Sequence, residues 1–177
     1  KANGEVSMIS SVGSLHYQKG NQWLDINTDI VSNTTGIHIG NPYANTENQF
    51  QTYFPTHPVN GKTYTQLPDG EMSEQVDAFY ATDNNGNMVY QFNANTTATV
   101  ITNDASVSYT NVFPNTEIRY TNRADARKFD LILQNNQIVN SLPAYAKYLV
   151  IKEKMVLPSN WTVSQTNNGI DMYNGTT

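Results

Sequence analysis

Three histidines, fifteen acidic residues and no cysteine define the side-chain chemistry open to this 177-residue chain. A zinc site recruits paired ligands at short spacing, such as H-x-H or H-E-x-x-H, and neither pattern occurs. His16 alternates against Leu15 and Tyr17, His38 against Ile37 and Ile39, and His57 sits in a loop between Thr56 and Pro58. All three read as surface or hydrogen-bonded structural histidines. Glycosidase chemistry needs two carboxylates facing each other across about 5–10 Å. Asp25 with Asp29, or Glu71 with Glu74, are the pairs to nominate, although solvated turn charge accounts for both. No G-x-S-x-G elbow anchors a serine nucleophile. The run Asp83-Asn84-Asn85-Gly86-Asn87 concentrates oxygens, but it has one carboxylate where calcium loops supply several, and a hairpin turn explains it. Lys128 and Lys147 fall in predicted strands, the setting of lysines that form isopeptide bonds with Asn; snorkelling at a sheet edge is the preferred reading. Sugar rings stack on exposed planar side chains. Tyr43, Tyr53 and Tyr64 lie in or near the loop-rich 41–66 stretch and are the candidate glycan-binding residues. No catalytic residue, metal or cofactor is assigned.

Strands must position these groups. Apolar and polar residues alternate with period two at Val107–Tyr109, Ile118–Tyr120 and Phe129–Leu133, and again from Tyr145 to Ile151. Shorter alternating pieces occur at Val6–Met8, Leu15–Tyr17, Leu24–Ile26, Ile37–Ile39, Phe50–Phe54, Ala78–Tyr80 and Met88–Phe92. Lys19-Gly20-Asn21 and Asp83–Asn87 each separate two such pieces and predict hairpins. Only Glu71–Val76 and Arg123–Arg127 leave room for a short helix. Roughly a dozen short strands with frequent turns predict an all-β, antiparallel β-sandwich of two packed sheets. One domain over 1–177 is expected, with 164–177 leading toward a next module.

Composition narrows the function classes. Twenty-four Asn and 20 Thr carry the polarity, while ten Lys+Arg against fifteen Asp+Glu leave a net charge of −5. That balance holds no basic excess for a phosphate backbone, so no nucleic-acid partner is expected. The longest aliphatic run, Leu149-Val150-Ile151, is far short of the roughly 20 apolar residues of a membrane helix, so no membrane insertion is expected. Four N-x-[ST] sites begin at Asn33, Asn95, Asn160 and Asn174, as chance supplies in a chain so rich in Asn and Thr.

Three stretches carry a resemblance. Gly13-Ser14-Leu15-His16-Tyr17 followed by Gln22-Trp23-Leu24-Asp25-Ile26-Asn27 resembles the opening of a β-rich domain found near the start of bacterial Rhs/YD-repeat surface proteins and in Bacteroidota proteins exported by the type IX system. Val112-Phe113-Pro114-Asn115-Thr116-Glu117-Ile118-Arg119-Tyr120 with Lys128–Leu133, and then Ile151–Trp161, resemble that domain's later signatures. Phe129 stands where those relatives often have Glu, and Glu117 where they often have Asp. The resemblance spans about residues 5–163 and supplies no catalytic residue. It implies an extracellular or cell-surface setting and a non-enzymatic structural or adhesive role, in one version within a self-assembling appendage. Neighbouring domains or sister subunits would be the partners. A carbohydrate-binding module that meets host or prey surface glycans through Tyr43, Tyr53 and Tyr64 is the alternative, and a carboxylate-dependent hydrolase ranks last.

Overall fold

Period-two alternation becomes strand along most of the chain. The structure, a computed structural model, describes residues 14–166 and 169–175; the Val6–Met8 strand expectation lies outside those residues. The strands are β1 (His16–Lys19), β2 (Gln22–Asp25), β3 (Val31–Ser32), β4 (Tyr43–Asn45), β5 (Gln51–Phe54), β6 (Thr63–Leu67), β7 (Gly70–Thr82) and β8 (Met88–Phe92). They continue with β9 (Thr99–Asn103), β10 (Ser106–Thr110), β11 (Thr116–Asn122), β12 (Arg127–Leu133), β13 (Tyr148–Val156), β14 (Trp161–Thr166) and β15 (Gly169–Asn174). A single helical turn, α1 (Gln137–Asn140), precedes β13.

Two antiparallel sheets form the body. One runs β13-β7-β6-β5-β4-β3, with β8 also on β7; the other runs β12-β11-β10-β9. The 13-residue β7 is the spine of the first sheet. It pairs with β13 along one side, with β6 over its first half and with β8 over its second. Two-stranded ribbons, β1–β2 and β14–β15, extend from this body.

The sheets face each other across a core rich in aromatic rings. Strand β11 alternates strictly, turning Thr116, Ile118, Tyr120 and Asn122 inward. Tyr120 meets Phe54 of the opposite sheet at 5.7 Å between ring centroids and Phe129 of its own sheet at 5.3 Å. Phe79 stacks on Phe92 at 4.4 Å and tilts against Phe113 at 5.4 Å. A buried tyrosine needs a partner for its hydroxyl, and Tyr109 donates across the core to the Pro55 carbonyl at 2.8 Å. The predicted all-β sandwich is therefore the architecture observed.

Two local expectations are corrected. Glu71–Val76 is strand within β7, and Arg123–Arg127 is loop running into β12; among the described residues the one helical turn forms instead at Gln137–Asn140. Ile37–Ile39 is a bent loop, because His38 takes a left-handed φ of 49° that no strand residue adopts. Within the 164–177 stretch, residues 164–166 and 169–174 belong to the β14–β15 ribbon, whose base is tied to Asp69 by the Trp161 indole N–H at 3.2 Å and the Asn174 amide at 2.9 Å.

Asparagine also does more than fill turns. Asn41 is buried and donates to the Tyr53 and Lys62 carbonyls at 2.9 and 2.7 Å. Asn45 clamps the carbonyls of Asn27 and Asp29, and Asn48 reaches the Arg123 carbonyl 75 positions away. One amide holding two carbonyls satisfies backbone groups that the loops would otherwise bury unpaired.

Candidate functional site

The proposed tyrosine platform does not form. Tyr53 and Tyr64 are cross-strand partners on the outer face of β5 and β6, as a stacking surface would require. Residues 33–41 fold over that face. Asn33 organises the cover by donating to the Ile37 and Asn41 carbonyls and accepting from the Thr35 N–H and hydroxyl. The His38 ring then stacks on Tyr64 at 4.0 Å and tilts against Tyr53 at 4.8 Å, while its Nε2 contacts Glu71 Oε2 at 2.9 Å. Tyr53 is 1% exposed, and burial pushes its phenol pKa up. Tyr43 packs against the core. Tyr53 and Tyr43 are thus occupied by packing, and Tyr64 is the one of the three whose ring reaches a cleft.

That cleft, about 480 Å³, lies between β6 and the 55–61 turn and is lined by Tyr64, Lys62, Asn41, Asn60, His57 and Gln75 among others. The turn is tightly closed: Gly61 N–H donates to the His57 carbonyl at 2.8 Å, and a Cβ at Gly61 would meet Pro55 Cβ at 2.5 Å. His57 Nδ1 accepts from the Val59 N–H at 3.2 Å, which puts the neutral ring's proton on Nε2. Burial lowers the His57 pKa, opposed by the Asn95 backbone, so the ring stays neutral at physiological pH.

A second cluster lies between the sheets. Arg127, at the start of β12, pairs with Glu74 of β7 at 2.6 Å, with both side chains about nine-tenths buried, and donates to Thr65 Oγ1. Its guanidinium sits 5.5 Å from the Tyr120 ring centre. Glu153 of β13 points into the same space, opposite Val76. Its Oε1 is buried and has no hydrogen-bond partner among the described residues. Burial, with the Glu74 charge beside it, raises the Glu153 pKa to about 7, against the pull of Arg127. Glu74 thus belongs to an ion pair that joins the sheets rather than to a carboxylate pair with Glu71, which contacts His38. Phe50, Leu67, Met72, Met155 and Met172 wall the groove above this pair. Sequence reasoning passed over Arg127 and Glu153. Each carried a signal: Arg127 shares parity with Phe129, Leu131 and Leu133, and Glu153 with Leu149 and Ile151. A charge in step with an apolar face is a charge turned inward.

The remaining candidates resolve as local structure. His16 and Asp25 are directly opposed across β1–β2, with Nε2 3.0 Å from Oδ1 on an exposed ribbon, and Asp29 is exposed on a loop. Asp83 accepts from the backbone of Asn85 and Asn87 and from the Asn87 amide, each at 2.9 Å. Those bonds hold its carboxyl below the usual range and close the β7–β8 turn. Lys128 pairs with Asp130 at 2.8 Å on the surface, and Lys147 is exposed, so neither occupies the core position that an isopeptide bond would need.

What the surface does present is apolar side chains on the ribbons. Trp23 is 69% exposed on β2, and Val163 and Ile170 are 58% and 65% exposed on β14–β15. Val163 and Ile170 share a face with Met172, which turns toward the groove, and so extend the same apolar stripe out into solvent. No family model, curated protein or solved structure matches this chain.

Proposed function

We propose that this chain is a non-enzymatic structural or adhesive module of a large bacterial cell-surface or secreted protein, which joins neighbouring domains or sister subunits. The observation that carries this reading is the exposure of Trp23, Val163 and Ile170 on two-stranded ribbons that pair apart from the two sheets of the sandwich. A two-stranded ribbon is marginal alone and gains stability when its apolar face is covered. The motif resemblance in the sequence supports the same setting. The test is the mass of the chain by light scattering, alone and mixed with the remainder of its parent protein. The reading expects a heavier species that is lost in Val163→Glu/Ile170→Glu with unchanged thermal unfolding. A strict monomer inert toward its parent refutes it.

The carbohydrate-binding alternative now rests on the 480 Å³ cleft, where the Tyr64 edge adjoins Lys62, Asn60 and Gln75. Glycan-array binding that disappears in Tyr64→Ala supports it. Silence across the array removes it.

A further inference from the structure

Every sheet edge is a row of main-chain donors and acceptors awaiting a strand, and natural domains blunt such edges with charge, brevity or a bulge. Most edges of this domain are blunted. β12 carries Arg127, Lys128 and Asp130, and β13 carries Lys152, Glu153 and Lys154. β3 has two residues, and the pairing of β8 with β7 shifts register at Ala81/Thr82. The two-stranded ribbons twist more strongly than a broad sheet and present poor templates. Among the described residues the end of the four-stranded sheet is different, with no strand beyond it. β9 is Thr99-Val100-Ile101-Thr102-Asn103, rich in β-branched residues, free of charge and proline, and in unbroken five-residue register with β10.

We propose that β9 is a self-pairing edge, which joins this chain to a second copy of itself by antiparallel β9–β9 addition about a two-fold axis at Ile101. The two-residue connection Asp104–Ala105 makes Asn103 and Ser106 a hydrogen-bonded pair, and alternation then turns the N–H and C=O groups of Val100 and Thr102 toward the open side. Centring the axis on Ile101 sets Val100 against Thr102 of the second copy, and Thr102 against its Val100. Those two pairs exchange four main-chain hydrogen bonds. Ile101, 52% exposed on the outer face, meets its own copy at a non-hydrogen-bonded position where side chains approach closely. Charge permits this register: Asp104 falls opposite Ala98, not opposite a second Asp104. Arg119, which lines the same surface hollow as Ile101, is paired with Glu117 at 2.7 Å. The occupant is therefore a second copy, because the strand matches its own reverse without apposing like charges. This inference rests on the assembly reading and names its partner, but it uses β9 and no ribbon residue.

The chain has no cysteine, so Ile101→Cys introduces a unique thiol on the proposed axis. Ile39→Cys is the control, on a loop residue 88% exposed. Under mild oxidation the axis thiol is expected to form a disulfide dimer at least about ten-fold faster than the control, because pairing raises its effective concentration. Adding Thr102→Pro, which removes an outward N–H and leaves the β10 ladder intact, is expected to abolish that advantage. Equal rates for the two thiols, or an advantage that survives Thr102→Pro, would overturn the proposal. Val163→Glu/Ile170→Glu leaves β9 untouched, so parent binding that survives in that variant, with rapid Ile101→Cys cross-linking, sinks the ribbon reading alone. Parent binding that is lost in that variant, with no cross-linking advantage for Ile101→Cys, sinks this one alone.

Discussion

Replacing Glu153 with Gln isolates an acid, unique in this among the described residues, whose burial makes it hold its proton near neutrality. In the folded chain its carboxyl titrates at about 7, because burial and the Glu74 charge penalise ionisation more than Arg127 favours it. In the unfolded chain it ionises near the ordinary value of 4.5. Between those two values the folded state retains a proton that the unfolded state has lost. Stability is thus fully present below about pH 4.5 and declines as pH rises through about 7. At ~1.4 kcal/mol per tenfold change the full difference would be ~3 kcal/mol, and the solvent that still reaches the partly exposed side chain reduces it to ~1–2 kcal/mol. His57 acts in the opposite sense: its lowered pKa withholds a proton from the folded ring, so its contribution is lost as pH falls below about 6.5. Wild type and Glu153→Gln share His57, and subtracting their stabilities cancels it. Urea unfolding followed by far-ultraviolet circular dichroism from pH 4.5 to pH 8 measures the difference. The expected result is a gap that grows in favour of Glu153→Gln by ~1–2 kcal/mol toward pH 8. Parallel curves, or a wild type that gains on the variant as pH rises, would refute the placement of Glu153.

Three further substitutions probe other joints of the fold. Asn41→Ala strands the Tyr53 and Lys62 carbonyls and is expected to cost ~2–4 kcal/mol in equilibrium unfolding, whereas a loss under ~0.5 would remove its clamp role. Arg127→Leu leaves the buried Glu74 unpaired and is expected to cost ~3–5 kcal/mol, most of it recovered in Glu74→Leu/Arg127→Leu; an additive double variant would contradict this. Gly61→Ala drives a methyl into Pro55 and is expected to lower the urea midpoint by the equivalent of ~1–3 kcal/mol, and an unchanged midpoint would show that the turn yields freely.

The sheets were legible in the sequence because parity is a local property. Val107 with Tyr109, Ile118 with Tyr120 and Phe129 with Leu131 and Leu133 reveal their shared face within one strand, and these residues form or flank the core. The hairpin turns were legible for the same reason. Loops followed different rules. Ile37-His38-Ile39 alternates like a strand, yet Asn33 side-chain bonds and a left-handed His38 fold it over Tyr53 and Tyr64. Burial of those tyrosines is set by a segment 12 or more positions away, so no short window around them could reveal it. Asparagine gave a similarly partial signal: its abundance suggested a polar surface, while Asn41, Asn45, Asn48 and Asn122 are buried. The buried ion cluster was within reach, since the parity of Arg127 and Glu153 already turned both toward the apolar side. The pairing of Arg127 with Glu74, 53 positions apart, required the sandwich to close.

Amide hydrogen exchange of this chain within the larger protein proposed to contain it, compared with the chain alone, tests the assembly role most directly. Joining contacts would cover the ribbons, so the account predicts slower exchange in the parent at β1–β2 and β14–β15, around Trp23, Val163 and Ile170, with the core strands unchanged. Identical exchange along both ribbons in the two settings would contradict it.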